Sequence, residues 1–115
     1  MPVLDPGTVL CALSDIPDGQ AKGIEGGQGE RKVKFLVARR GDQAFGYFNA
    51  CPHVGVPLDW GDDRFMSLDG QHLQCGTHGA LFRVEDGFCV SGPCQGRRLR
   101  PLAVSVDADG QVVAD

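Results

Sequence analysis

Apolar residues fall in short runs separated by turn formers, and no segment holds an apolar stripe at helical spacing for three turns. Thr8–Leu13 is the first such run. Lys32–Arg39 is stronger and opens with polar and apolar residues in alternation, as a strand requires. Arg40-Gly41-Asp42 predicts a hairpin turn into Gln43–Phe48. His72–Gln74, Ala80–Val84 and Phe88–Val90 follow. The last pair is Leu102–Val106 and Gln111–Val113, joined through Asp107-Ala108-Asp109-Gly110. Short strands at this spacing predict an all-β antiparallel sandwich or barrel. Gly19–Gly29 is glycine-rich, includes Gly26-Gly27, and is expected to contain a mobile loop.

The stretch from Ala50 to Gly96 has a different texture. It holds four of the five cysteines, all three histidines and the only tryptophan. It reads as a small functional module, about residues 50–96, inserted into a β scaffold made of about 1–49 and 97–115. A chain of 115 residues builds one such domain and no second core. No repeat or interdomain linker interrupts it.

Charge and composition narrow the function classes. The formal net charge is -4, which argues against a broad nucleic-acid-binding surface. No apolar run approaches membrane-spanning length. Met1-Pro2-Val3-Leu4-Asp5-Pro6 carries no basic region followed by an apolar stretch, so the expected location is the cytoplasm. Five cysteines in such a compartment point to metal binding or redox chemistry before structural disulfides, and the odd count agrees.

Two motifs carry the chemistry. Cys51-Pro52-His53 and Cys75-Gly76-Thr77-His78 each offer one thiolate and one imidazole, with residues 54–74 between them. Such ligands fit two loops that approach each other around a metal. Thiolates suit zinc and iron–sulfur clusters, and imidazole suits zinc and iron. Mononuclear zinc and a mixed-ligand [2Fe–2S] cluster therefore both satisfy the ligand types. Usual zinc fingers pair cysteine with cysteine and histidine with histidine, whereas each pair here is mixed.

The flanking residues separate the two. Ala50-Cys51-Pro52-His53-Val54-Gly55-Val56-Pro57-Leu58 resembles the first cluster-binding loop of the Rieske [2Fe–2S] family, and Cys75-Gly76-Thr77-His78-Gly79-Ala80-Leu81-Phe82 resembles the second. Asp86-Gly87 followed by Val90-Ser91-Gly92-Pro93 resembles the loop that covers the cluster. Arg100-Pro101-Leu102-Ala103-Val104 resembles the strand returning to the base. The likeness runs from about Thr8 to Val113.

The resemblance implies a Rieske-like β base with an inserted cluster-binding subdomain. It implies that Cys51 and Cys75 bind one iron as thiolates, and that His53 and His78 bind the other near the surface. Gly55, Gly79 and Gly92 would admit backbone close to the cluster, and Pro93 would stiffen its cover. It also implies a soluble one-electron carrier between a reductase and an acceptor such as an oxygenase, with no catalytic residue of its own. A Rieske subunit held permanently by a catalytic chain is the enzymatic alternative. Members from respiratory cytochrome bc complexes carry a disulfide at the positions of Val56 and Thr77, and hydroxyl side chains at those of Ala80 and Phe82. Their absence here implies a potential toward the low end of the Rieske range of about -150 to +300 mV. The span between motifs is longer than in most small members, which predicts a surface elaboration or partner contact in Trp60–Gly70.

Other residues take plainer readings. Cys89 and Cys94 are read as packed side chains before a redox disulfide, and Cys11 as a core residue. His72 reads as a strand or surface histidine. Phe45, Tyr47 and Phe48 read as sheet packing, and Arg97, Arg98 and Arg100 as a solvated face. Trp60 reads as packing or partner contact.

Overall fold

The computed structural model describes residues 7–26, 33–50, 58, 65–67, 70–75, 79–92 and 95–115. Ten strands are present among them: β1 (Val9–Ala12), β2 (Ala21–Gly26), β3 (Val33–Arg40), β4 (Gln43–Phe48), β5 (His72–Gln74), β6 (Leu81–Arg83), β7 (Cys89–Ser91), β8 (Pro101–Leu102), β9 (Val104–Val106) and β10 (Gln111–Ala114). They form three antiparallel sheets, ordered β1-β10-β9, β2-β3-β4-β8 and β5-β6-β7. Leu13–Asp15 is a single 3-10 turn. No helix among the described residues is long and apolar enough to cross a membrane.

The sheet containing β3 is the middle layer. Side chains alternate faces along a strand, so a strand buried on both faces reads as a continuous apolar run. Phe35-Leu36-Val37-Ala38 is such a run, and all four are buried. Val37 packs with Cys11, Leu13, Ile16 and Val112 on one side. Leu36 and Ala38 pack with Phe82 and Cys89 of the third sheet, and with Val84 just after β6, on the other. β4 follows the same parity, with Ala44 on the first side and Phe45 and Tyr47 on the second.

Both predicted tight connections form. β3 and β4 pair from Phe35 opposite Phe48 to Arg40 opposite Gln43, across a turn in which Gly41 has φ 59°. The β9–β10 connection is held by the Asp107 carboxylate, which accepts from the N–H groups of Asp109 and Gln111 at 2.9 Å each.

The glycine-rich stretch holds a strand that was not expected: Ala21–Gly26 pairs with β3 along its whole length, from Ala21 opposite Ala38 to Gly26 opposite Val33. Ladder hydrogen bonds to a strong neighbour override a weak local preference, and Ile24 adds apolar contact to the first core. Gly27–Gly29 lie outside the described residues.

The run Leu102–Val106 is likewise two strands. β8 pairs with β4, the chain breaks at Ala103, and β9 pairs with β10 in another sheet. Gly46 permits the crossing: a Cβ there would stand 2.6 Å from the Leu102 carbonyl oxygen and 2.9 Å from Val104 Cγ1.

Within Trp60–Gly70, Phe65 is anchored in the second core, and its carbonyl accepts from the Gln74 N–H at 2.6 Å. Met66 bridges to Leu73. Trp60 lies outside the described residues.

Tyr47, the chain's only tyrosine, pins the middle sheet to the third: its hydroxyl donates to the Val84 carbonyl oxygen at 2.6 Å. Burial, then the nearby Asp86 and Glu85 carboxylates, push its pKa far above the ordinary phenol value. The phenol is protonated in both folded and unfolded chains below pH of about 10, so it adds no pH dependence there. Above that, the unfolded chain ionises first and stability falls. Tyrosinate absorbance is therefore expected to emerge only together with loss of strand circular dichroism. A folded protein titrating at an ordinary phenol pKa would contradict this.

Candidate metal centre

Cys75 closes strand β5 and opens the hairpin loop into β6. Its N–H donates to the Ala80 carbonyl at 2.9 Å, and its own carbonyl accepts from the Gly79 N–H at 2.8 Å. These two bonds tie the loop at its base. Gly79 takes φ +70°, a conformation that disfavours residues with a Cβ. The Cys75 side chain is fully buried and belongs to no disulfide. Cys51, His53 and His78, the other three expected ligands, lie outside the described residues, as do Gly55, Val56, Thr77, Pro93 and Cys94. Among the described residues no three His, Cys, Asp or Glu side chains converge as a metal set.

What the structure does bring together is the surroundings of the three loops. Leu58, at the end of the first motif, shares one apolar cluster with Cys75 and Ala80 of the second and Cys89 beside the third. Gly92 meets Ala80 directly. A Cβ on Gly92 would lie 2.7 Å from Ala80 Cα, so the covering loop and the second motif are in close backbone contact. This closeness explains the glycine, whose φ of +103° is also one that L side chains rarely adopt.

The connection after β6 is built on Asp86. Its carboxylate accepts from Arg83 and from the Phe88 N–H. The Arg83 hydrogen bond, followed by that of Phe88, lowers its pKa. Gly87 then approaches the Tyr47 ring, and its carbonyl accepts from the Leu99 N–H at 2.9 Å.

A buried, unoxidised thiol at the base of a glycine-bearing hairpin loop suits a soft metal or an iron–sulfur cluster. The other described cysteines differ in setting. Cys89 is buried and its Sγ donates to the Ser91 carbonyl at 3.2 Å, as a packed side chain should. Cys11 is buried in β1, and burial, then Asp15, raises its thiol pKa. His72 is half-buried in β5, in agreement with the strand reading. Arg97, Arg98 and Arg100 are exposed, and Arg100 lies 4.5 Å from the centroid of the Phe48 ring.

One residue of the site was not singled out from the sequence. Asn49 is the buried polar side chain among the described residues, and its Oδ1 accepts from the Leu58 N–H at 2.7 Å. A lone amide next to Phe48 resembles an ordinary turn residue, so its only sequence signal was adjacency to the first motif.

Comparison with known proteins agrees in family and fold. A model of the Rieske [2Fe–2S] domain matches residues 7–107. The ferredoxin CarAc of Metapseudomonas resinovorans is 31% identical over 85 residues, covering 74% of this chain and 72% of its own. The ferredoxin of carbazole 1,9a-dioxygenase from Nocardioides aromaticivorans IC177 superposes with a TM-score of 0.74 at 21% identity, over 96% of this chain and 97% of that one. A chain in a complex of reduced oxygenase and oxidized ferredoxin in carbazole 1,9a-dioxygenase matches with a TM-score of 0.71 at 28% identity, over 92% of this chain and 90% of that one. With the buried Cys75 side chain, the Gly92–Ala80 contact and a family match spanning most of its length, this chain belongs to the Rieske [2Fe–2S] domain family.

Proposed function

We propose that this protein is a cytoplasmic one-electron carrier, loaded by a reductase and discharged by an oxygenase, with its [2Fe–2S] cluster held by Cys51, His53, Cys75 and His78. Cys51 and Cys75 serve one iron as thiolates; His53 and His78 serve the other as neutral imidazoles. The cluster supplies a single reversible electron, and the chain binds it, buries its thiolate side and holds the loops around it. In this reading residues 50–96 form the cluster-binding part, and residues 1–49 and 97–115 the base.

The observation that carries the assignment is the Cys75-Gly76-Thr77-His78 motif, whose Cys75 is set in the core between the other two loops. A buried free thiol stands in a Cys-x-x-His motif, clustered with Leu58 of the first motif and Cys89 beside the third loop. The likeness to a chain in a ferredoxin–oxygenase complex supports an oxygenase as acceptor.

Electron paramagnetic resonance of anaerobically purified, dithionite-reduced protein tests the reading. The expected result is a mixed-ligand [2Fe–2S] signal from red-brown protein with about two irons and two acid-labile sulfides per chain. Colourless protein with about one zinc would overturn it.

The potential is a second expected result. Ala80 and Phe82 are buried and offer no hydroxyl, so fewer hydrogen bonds stabilise the reduced cluster. Voltammetry should place the midpoint toward the low end of the range of about -150 to +300 mV. Ala80→Ser should move it upward. An unchanged potential in that variant would show that position 80 does not reach a cluster sulfur.

A further inference from the structure

We infer that Asn49 is a positioning residue for the first ligand loop: its side-chain oxygen and the Leu58 N–H form a clasp across residues 50–57, and the clasp governs how firmly the cluster is retained. This rests on the proposed ligand roles of Cys51 and His53, which fall inside the clasped segment.

Three observations carry it. Asn49 is only 6% exposed, so its amide has lost most of its access to water. Its backbone is fixed independently of the loop, because its N–H donates to the Lys34 carbonyl at 2.9 Å, beside the β3–β4 ladder. The far end of the loop is fixed as well: Leu58 is fully buried in the cluster that contains Cys75. The 2.7 Å bond from the Leu58 N–H to Asn49 Oδ1 joins these two fixed points. It closes a separation of nine residues with one side chain. Closing a loop at its base removes conformations in which its ligands stand apart, and so slows the first step of cofactor loss.

The chemistry of the clasp selects the test. The Leu58 N–H bonds to the side-chain oxygen, so aspartate keeps that acceptor while alanine deletes it and leaves a buried N–H without its acceptor. Serine is too short to span the same gap. Wild-type, Asn49→Ala, Asn49→Asp and Asn49→Ser proteins are loaded with iron and sulfide and mixed with a ferrous chelator. Cluster bleaching is followed beside far-ultraviolet circular dichroism.

Asn49→Ala is expected to bleach about tenfold faster than wild type while the strand signal persists, with Asn49→Asp restored to within about twofold. Reduced Asn49→Ala should also show a broadened resonance, as its ligands sample more than one geometry. If Asn49→Ala does not fold, the contrast of Asn49→Ser with Asn49→Asp decides. Equal bleaching in wild type and the non-bonding variants would overturn the clasp, as would an Asn49→Asp protein as labile as those variants. Failure of the wild-type protein to give the [2Fe–2S] signal would instead overturn the ligand reading beneath it.

Discussion

Cys75→Ser is expected to give a folded, nearly colourless protein whose iron content falls at least about tenfold after purification. A cluster ligand must be deprotonated, and a serine hydroxyl stays protonated at neutral pH where a metal-bound thiol does not. The swap hardly changes volume, and Cys75 lies in a loop already tied by the Ala80 carbonyl and the Gly79 N–H. Loss of colour therefore reports ligation and not collapse. Cys89 supplies the control. It is as fully buried as Cys75 and part of the same apolar cluster. Burial alone would make the two equivalent. Cys89→Ala should keep its iron and lose about 1–2 kcal/mol of stability through a small cavity and the lost contact to Ser91. Metal analysis and thermal unfolding of the two variants check this. Iron retained in Cys75→Ser, or lost from a folded Cys89→Ala, would overturn the ligand assignment.

That contrast also shows what the sequence could tell. Two equally buried cysteines of one cluster are told apart by the Cys75-Gly76-Thr77-His78 motif, so the motif, and not burial, singles out the proposed ligand. Most strands were equally legible. Alternation and turn residues place β3, β4, β9 and β10, because a half-buried or doubly buried strand leaves its period in the residue order. β2 was hidden because Gly23 and Gly26 carry no side chain to show a period; its stability comes from pairing with β3. The break at Ala103 was hidden for the opposite reason. The apolar pattern continues through Leu102–Val106 while the strand's partner changes from β4 to β10. The core role of Phe65 was not legible, because a long span between motifs reads as an insertion. Length alone does not show that its middle supplies a core side chain. Asn49 could not be seen at all, since its role depends on a bond to a residue nine positions away.

The other large effect is expected at Gly92. Gly92→Ala should lower stability by about 2–6 kcal/mol and hasten cluster loss at the same time. Two separate penalties add. The φ of +103° is costly for any residue with a Cβ, at about 1–3 kcal/mol. The new methyl would also stand 2.7 Å from Ala80 Cα and 3.1 Å from Ala80 Cβ, so a backbone must move, at about 1–3 kcal/mol more. Gly110→Ala separates the terms. Gly110 has φ +77° with nothing within 4 Å of the added atom, so it should show the strain alone. Ala80→Gly should not rescue Gly92→Ala, because the nearest clash is with Ala80 Cα, which glycine keeps. Because Ala80 lies two residues after His78, any shift that relieves the clash is passed to the second ligand loop. Gly92→Ala should therefore bleach faster in chelator than Gly110→Ala when the two are compared at equal distance below their own unfolding temperatures. Equal bleaching in that comparison would mean that the cover and the second ligand loop are not mechanically joined.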